Sequence, residues 1–144
     1  MPSAGESGKT GLVSAPEPIR VLLADDDLGF LEALEALFAE DERFEIVGTA
    51  EDGEEALALA ISLQPDVVTM DIEMPRLDGV EATRQIRAEV PETRVVVVSA
   101  SAYASRAETA REAGAAAYVS KSVFAEELLA TVAAVARGEN FVAA

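Results

Sequence analysis

The stretch IRVLLADDD, residues 19–27, sets a pattern that the rest of the chain repeats. Its first six residues, IRVLLA, form a short apolar run that is typical of a strand buried inside a parallel sheet. Three acids follow, and residues 28–40 then place apolar side chains at helical spacing. A buried strand that leads into a helix is the first half of a βαβ unit, so we expect the alternation to continue.

Four more strand and helix pairs follow in the same alternation. The predicted strands are FEIVGTA (44–50), DVVTM (66–70), RVVVVSA (94–100) and AAYV (116–119). The predicted helices span 52–63, 79–89, 103–113 and 123–137. Five such pairs predict an α/β fold, a three-layer (βα)5 doubly wound parallel sheet of flavodoxin-like type, whose commonest strand order is 2-1-3-4-5.

The 144 residues are predicted to hold one domain, residues 19–138, between two tails. Residues 1–18 are rich in Gly, Ser and Pro and lack apolar periodicity, which predicts a disordered N-terminal tail. Residues 139–144 are predicted to be a short C-terminal tail. Gly8-Lys9-Thr10 looks like the end of a phosphate-binding P-loop, but no strand can precede it, so we assign it to the tail.

The composition excludes several classes of chemistry. With 27 acids, 11 bases and a net charge of −16, the chain is a poor ligand for nucleic acid or for an anionic membrane. It has no cysteine and no histidine, which excludes disulfides, thiol nucleophiles, Ser-His-Asp triads and His-ligated zinc. Because no membrane span or signal peptide is evident, we expect a cytoplasmic protein.

Polar side chains follow four of the five predicted strands. Asp25–Asp27 follow strand 1, Asp71 follows strand 3, Ser99 ends strand 4 and Lys121 follows strand 5. In the order 2-1-3-4-5 these strands are neighbours, so we expect the four groups at one edge of the sheet. A hard divalent cation such as Mg²⁺ would relieve the repulsion among the acids, and a carboxylate is a known nucleophile for phosphoryl groups. Lys and hydroxyl groups suit the phosphoryl oxygens, so the site predicts metal-assisted phosphoryl transfer to a carboxylate.

Two of the polar residues also have a structural interpretation. Asp27 is expected to cap the helix that follows strand 1. Tyr118 lies between apolar neighbours in strand 5, so packing in the core competes with a functional role.

Four motifs together resemble the receiver domain of bacterial two-component response regulators. They are VLLADDD (21–27), DVVTMDIEMPRLDG (66–79), VVVVSA (95–100) and GAAAYVSK (114–121), and the resemblance covers about Ile19 to Gly138. It implies that Asp71 accepts a phosphoryl group from a sensor histidine kinase or a histidine phosphotransfer protein, with Mg²⁺ or Mn²⁺ as cofactor. It also implies a phosphorylation switch in a phosphorelay rather than a turnover enzyme.

The same resemblance implies a set of metal ligands. Asp26, Asp71 and the backbone carbonyl of Glu73 would bind the metal directly, and Asp25 would act through a water molecule.

The resemblance also implies how the switch works. Lys121 would pair with the phosphoryl oxygens, Ser99 would swing to hydrogen-bond them, and Tyr118 would move inward. The face built from helix 4, strand 5 and helix 5 would then change its affinity for a downstream protein or for a second copy. Glu73 and Ser101 are expected to tune the lifetime of the phosphoryl group.

Three alternatives stay open at this point. Ser122 stands where many receivers carry Pro, and receivers joined to a helix-turn-helix of the nitrate-regulator type often lack that Pro too. The stretch AVARGENF (134–141) resembles the end of their receiver domain, so the chain is alternatively the receiver part of a longer DNA-binding transcriptional regulator. Only three residues follow Phe141, so we expect no output domain and no nucleic-acid binding in this chain itself. The others are an unphosphorylated pseudo-receiver and an aspartyl-phosphate hydrolase with Glu73 as second acid, although nothing in the chain would build a substrate cap.

Overall fold

The computed structural model describes residues 17–100, 104–123, 125–139 and 141–142, in which strands and helices alternate. The strands are β1 (Ile19–Ala24), β2 (Phe44–Ala50), β3 (Val67–Met70), β4 (Arg94–Ser99), β5 (Ala117–Ser120) and β6 (Phe141–Val142). The helices are α1 (Leu28–Ala39), α2 (Gly53–Leu63), α3 (Gly79–Glu89), α4 (Ala104–Glu112) and α5 (Ala125–Ala136). None of these described helices is both long enough and apolar enough to cross a membrane. All but the last two residues of the predicted N-terminal tail lie outside the described residues.

The strands form one parallel sheet in the order β2-β1-β3-β4-β5-β6. The predicted order of the first five strands is therefore confirmed. The sixth strand is a difference, because it lies within 139–144, where the sequence predicted only a tail. Its two residues pair with Ala117 and Tyr118 of β5. A two-residue strand is too short to show an apolar periodicity in the sequence. It forms because its backbone pairs with the edge strand β5.

Two apolar layers separate the sheet from its helices. One face of the sheet packs on α1 and α5 through a cluster that includes Val21, Leu23, Phe38, Val96 and Val132. The other face packs on α2, α3 and α4 through a cluster that includes Leu22, Val68, Met70, Ile86 and Val97. Alternate residues of β1, β3 and β4 enter opposite layers, so these strands are buried on both faces. This explains their nearly unbroken apolar sequences and confirms the three-layer prediction.

Thr69 is an exception within β3, because its hydroxyl is buried without an obvious partner. The residue is 1% exposed, and Oγ1 makes no hydrogen bond to any part of the chain that the structure describes. Its strand neighbours are Leu23 and Val96, which offer only apolar side chains. The apolar interior next to β3 therefore contains a polar group that is costly to bury.

We expect Thr69→Val to stabilise the protein by about 1 kcal/mol, because it removes an unpaired buried hydroxyl at little change in volume. Thr93→Val is the matched control, since the buried Thr93 hydroxyl donates to the carbonyl of Pro65 at 2.7 Å. The control should lose about 1–2 kcal/mol. Urea denaturation of both variants checks the pair, and a loss of stability in Thr69→Val would contradict the assignment.

Candidate functional site

The carboxyl ends of four adjacent strands hold the predicted site residues. Asp25 follows β1, Asp71 follows β3, Ser99 ends β4 and Lys121 follows β5. The backbone N–H of Asp71 donates to the carbonyl of Ala24 at 3.1 Å, and that of Lys121 donates to the carbonyl of Ser99 at 2.8 Å. These bonds extend the strand pairing by one residue, so the sheet itself aligns the side chains. The structure thus brings together the four groups that the sequence placed at one edge.

Three carboxylates form the centre of this edge. One oxygen from each of Asp25, Asp26 and Asp71 lies within 4.8 Å of the others. Asp25 is 1% exposed and Asp71 is 7% exposed, whereas Asp26 is exposed to solvent. Buried carboxylates need partners that offset their charge, so the chemistry of this cluster suits a cation.

Lys121 supplies one cation to the cluster. Its Nζ lies 2.9 Å from Oδ2 of Asp25 and 3.7 Å from Oδ2 of Asp71, so the closer ion pair is with Asp25. Nζ also lies 4.4 Å from the centre of the Phe30 ring, in the range of a cation–π contact. Burial alone would lower the pKa of Lys121, but the hydrogen bond to Asp25 and the charge of Asp71 outweigh it and raise that pKa. The ammonium therefore stays charged.

The single positive charge of Lys121 does not neutralise the three carboxylates. Burial and the neighbouring charge of Asp25 raise the pKa of Asp71 to about 7, although Lys121 acts in the opposite direction. When all three carboxylates are ionised, they and the one ammonium give the site a net charge of −2. An all-oxygen donor set with this charge has the chemistry of a Mg²⁺ or Mn²⁺ site. The residues present therefore fit the predicted metal.

Asp27 serves the helix rather than the cluster. Its side chain accepts hydrogen bonds from the backbone N–H groups of Gly29 at 3.1 Å and Phe30 at 3.2 Å, which caps α1 as predicted. Its own N–H donates to Oδ1 of Asp25 at 2.8 Å. The turn between β1 and α1 thus helps to orient Asp25.

Three further residues were predicted for switching or tuning. Ser99 is buried at the end of β4, next to the cluster by its strand position. Tyr118 is also buried, in the apolar layer formed with α2, α3 and α4, so its inward position agrees with the core-packing interpretation. Ser101 lies outside the described residues.

The loop after β3 carries two ion pairs that the sequence interpretation missed. Glu73 pairs with Arg106 of α4 at 2.6 Å, and Arg76 pairs with Asp52 at the start of α2 at 2.7 Å. The partners are 33 and 24 positions apart in the chain, so no short sequence motif predicts these ion pairs. The only local signal was Asp52, a helix-capping residue type that the structure places just before α2 rather than in its first turn.

The chain is similar to known proteins in both sequence and structure. The model of a family described as "Response regulator receiver domain" matches residues 21–133. The chain is 36% identical over 124 residues to the transcriptional regulatory protein DegU of Brevibacillus brevis, a match that covers 86% of this chain and 52% of DegU. It is 41% identical over 125 residues to a protein-glutamate methylesterase/protein-glutamine glutaminase of Geobacter sulfurreducens, covering 79% of this chain and 34% of that protein.

One solved structure shares this fold over the whole length of the solved domain. The signal receiver domain of the response regulator NarL from Mycobacterium tuberculosis superposes with a TM-score of 0.83 at 33% sequence identity. The match covers 86% of this chain and all of that domain. The chain spans about half of DegU and about a third of the methylesterase, so the similarity concerns one region of each larger protein.

Proposed function

The chain belongs to the response regulator receiver family of two-component systems, and from this membership we propose that it is a phosphorylation switch with Asp71 as the phosphoacceptor. The observation that carries the proposal is the buried Asp71 carboxylate in contact distance of Lys121 and clustered with Asp25 and Asp26. A buried acid crowded by like charge is poorly placed for stability and well placed for chemistry.

Asp71 acts as the nucleophile in this proposal. One of its oxygens attacks the phosphorus of a phosphohistidine on a sensor kinase or phosphotransfer protein, or of a small donor such as acetyl phosphate. A new oxygen–phosphorus bond forms while the bond to the leaving group breaks, and its electron pair leaves with the imidazole nitrogen or the acetate oxygen. Asp71 must be ionised to attack, and Lys121 favours that form because it lowers the Asp71 pKa.

We assign the metal-binding role to the acidic cluster and the loop beside it. Asp26, Asp71 and the backbone carbonyl of Glu73 are proposed as direct ligands of Mg²⁺ or Mn²⁺, and Asp25 as a ligand through water. The bound cation supplies positive charge to the carboxylates and to the incoming phosphoryl oxygens. The ion pair with Arg106 offsets the side-chain charge of Glu73, which we propose as a residue that tunes the phosphoryl lifetime.

The remaining residues transmit the change. Lys121 is proposed to move from Asp25 toward the phosphoryl oxygens, a shift that its short distance to both acids allows. Ser99 is proposed to hydrogen-bond the same oxygens, and Tyr118 to move further into the apolar layer. Because β5 lies between α4 and α5, these movements would alter the affinity of that face for a downstream protein or for a second copy.

The wider role of the protein follows from what this region is attached to in its relatives. One relative is a transcriptional regulator and another is a methylesterase, and each extends well beyond the matched region. We therefore propose that this chain is a cytoplasmic switch without turnover activity, whose output is made by protein contact. A second candidate, favoured by the similarity to DegU, is the receiver part of a longer transcriptional regulator. A reading frame that continues into a basic helix-turn-helix would favour the second candidate.

Intact-mass spectrometry after incubation with acetyl phosphate tests the phosphoacceptor. We expect one added phosphoryl group that requires Mg²⁺ and is absent in Asp71→Asn. Asp27→Asn is the matched control, because it removes a charge beside the site while Asn caps a helix as well as Asp does. That control should still be phosphorylated.

A missing adduct would be resolved with beryllofluoride, which mimics a bound phosphoryl group without being hydrolysed. Mg²⁺-dependent stabilisation by beryllofluoride would show that the adduct forms and hydrolyses too fast to collect. No adduct and no beryllofluoride binding would contradict the proposal and favour the pseudo-receiver.

A further inference from the structure

Arg76 has an unusual backbone for a residue with a long side chain. Its φ is 66°, in the left-handed region that glycine adopts freely and other residues rarely enter. Arg76 lies in the loop between β3 and α3, five residues after Asp71. Because this conformation is energetically costly, contacts in the surrounding structure must stabilise it. Those contacts therefore point to a role for the loop.

The Arg76 side chain forms an ion pair that joins the loop to the start of α2. Its Nε and Nη2 donate to Oδ2 of Asp52 at 2.9 and 2.7 Å. The other oxygen of Asp52 accepts from the backbone N–H of Glu55 at 2.8 Å and caps α2. Two donors on one side and a helix N-terminus on the other fix both partners, so Arg76 ties the loop to α2.

The tied loop carries the main-chain group assigned to the metal. Glu73 lies between Ile72 and Met74, both of which are buried in the apolar layer, while its own side chain is exposed. After Met74, the carbonyl of Pro75 accepts from the backbone N–H groups of Gly53 at 3.5 Å and Leu77 at 2.8 Å. The position of the Glu73 carbonyl is thus set from one side by the strand and from the other by contacts with α2.

We propose that Arg76 is a positioning residue for the metal site, which acts through its ion pair with Asp52 to hold the Glu73 carbonyl beside the acidic cluster. The inference rests on the proposed function, because that function makes the carbonyl a ligand. Arg76 itself touches neither the metal nor the phosphoryl group. Its loss would leave the three carboxylates in place and loosen only the main-chain ligand.

Calorimetric titration of the unphosphorylated protein with Mg²⁺ tests this role. Both Arg76→Ala and Arg76→Gly should weaken Mg²⁺ binding by about 3- to 10-fold, less than the loss of a group in contact with a metal ligand. Gly relieves the left-handed strain and Ala keeps it, so restored binding in Arg76→Gly would assign the effect to strain and overturn the proposal. Asp52→Asn keeps a good helix cap and loses the charge, and it should weaken binding by a similar factor.

Two controls separate positioning from general stability. Arg43→Ala removes an exposed ion pair with Asp41 of the same type, and it should leave Mg²⁺ affinity unchanged. The double variant of Arg76 and Asp52 should bind Mg²⁺ no more weakly than either single variant, because the two side chains act as a unit. Lower melting temperatures with unchanged Mg²⁺ affinity would show a purely structural pair and overturn the proposal.

Phosphorylation by acetyl phosphate gives a second measurement. In Arg76→Gly the Mg²⁺ concentration for half-maximal rate should rise by the same 3- to 10-fold, while the rate at saturating Mg²⁺ should stay unchanged. If the wild-type protein binds Mg²⁺ but is never phosphorylated, the proposed function fails and the calorimetric comparison still decides the role of Arg76. If the wild-type protein binds no Mg²⁺, both proposals fail.

Discussion

Gly79→Ala should unfold the domain or cost it more than about 4 kcal/mol, a loss reserved for severe steric or polar conflicts. A Cβ built on Gly79 would lie 1.9 Å from the carbonyl oxygen of Asp71 and 2.8 Å from Cα of Ile72. The backbone N–H of Gly79 donates to the Ile72 carbonyl at 2.6 Å, which holds the start of α3 against the segment just after β3. Because the obstructing atoms belong to the backbone, no side-chain rotation can make room.

A second glycine faces the same loop from α2. A Cβ on Gly53 would lie 1.7 Å from the carbonyl oxygen of Leu77, so Gly53→Ala should be equally damaging. Gly29→Ala is the matched control, since Gly29 is exposed in α1 and its added Cβ would meet only Oδ1 of Asp27 at 3.5 Å. The control should gain about 0.5–1 kcal/mol from the higher helix propensity of Ala.

Urea denaturation followed by circular dichroism measures all three glycine variants. A Gly79→Ala protein within about 1 kcal/mol of the wild type would mean that the loop can move away from α3. In that case Asp71 could shift with the loop, and the sheet edge would not fix the position of the site.

Asp71→Asn should stabilise the metal-free protein, by an amount that grows as the pH rises from about 4 to about 7. In the unfolded chain Asp71 ionises near its ordinary pKa of 3.8, whereas in the folded domain burial and Asp25 raise that pKa to about 7. Between these values the folded state binds one proton more than the unfolded state, so its stability falls as the pH rises. Asn carries no charge at any pH and escapes this loss.

The pH-dependent gain should approach a constant value of about 4 kcal/mol above pH 8, the free energy that corresponds to a pKa raised from 3.8 to about 7. Urea denaturation of both proteins at pH 4, 5, 6, 7 and 8 in the presence of a chelator measures it. Lys121→Met provides a companion variant, because it removes the charge that lowers the folded-state pKa of Asp71 and should extend the upper end of the window to higher pH. A gain of equal size at pH 4 and pH 8 would refute the electrostatic explanation.

Mg²⁺ should reverse part of this gain. A divalent cation stabilises the ionised carboxylates of the wild-type site. It should bind Asp71→Asn more weakly, because that site has lost one carboxylate. Adding Mg²⁺ at pH 8 should therefore stabilise the wild type more than Asp71→Asn. The same acid that lowers the stability of the metal-free domain is the nucleophile of the proposed reaction.

Much of the fold could be predicted because its signals lie within short windows of sequence. The runs around Val21, Val67 and Val95 are apolar on both faces, which is characteristic of strands covered by helices on both sides. The alternation of such runs with helical periods restricts the topology to a few parallel arrangements. Since ligands lie at the carboxyl ends of parallel strands, the positions of Asp71 and Lys121 next to strand ends were enough to place them at one site.

The tertiary structure alone decided which groups touch and how each contact alters the chemistry. It paired Lys121 more closely with Asp25 than with Asp71, buried Asp71 enough to raise its pKa to about 7, and brought Arg76 to Asp52. It also added β6 to the edge of the sheet. Strand and helix signals depend on local periodicity, whereas ion pairs, burial and edge pairing depend on segments distant in the chain being packed to within a few ångströms. The sequence alone therefore determined the architecture and the location of the site, and packing determined its electrostatics.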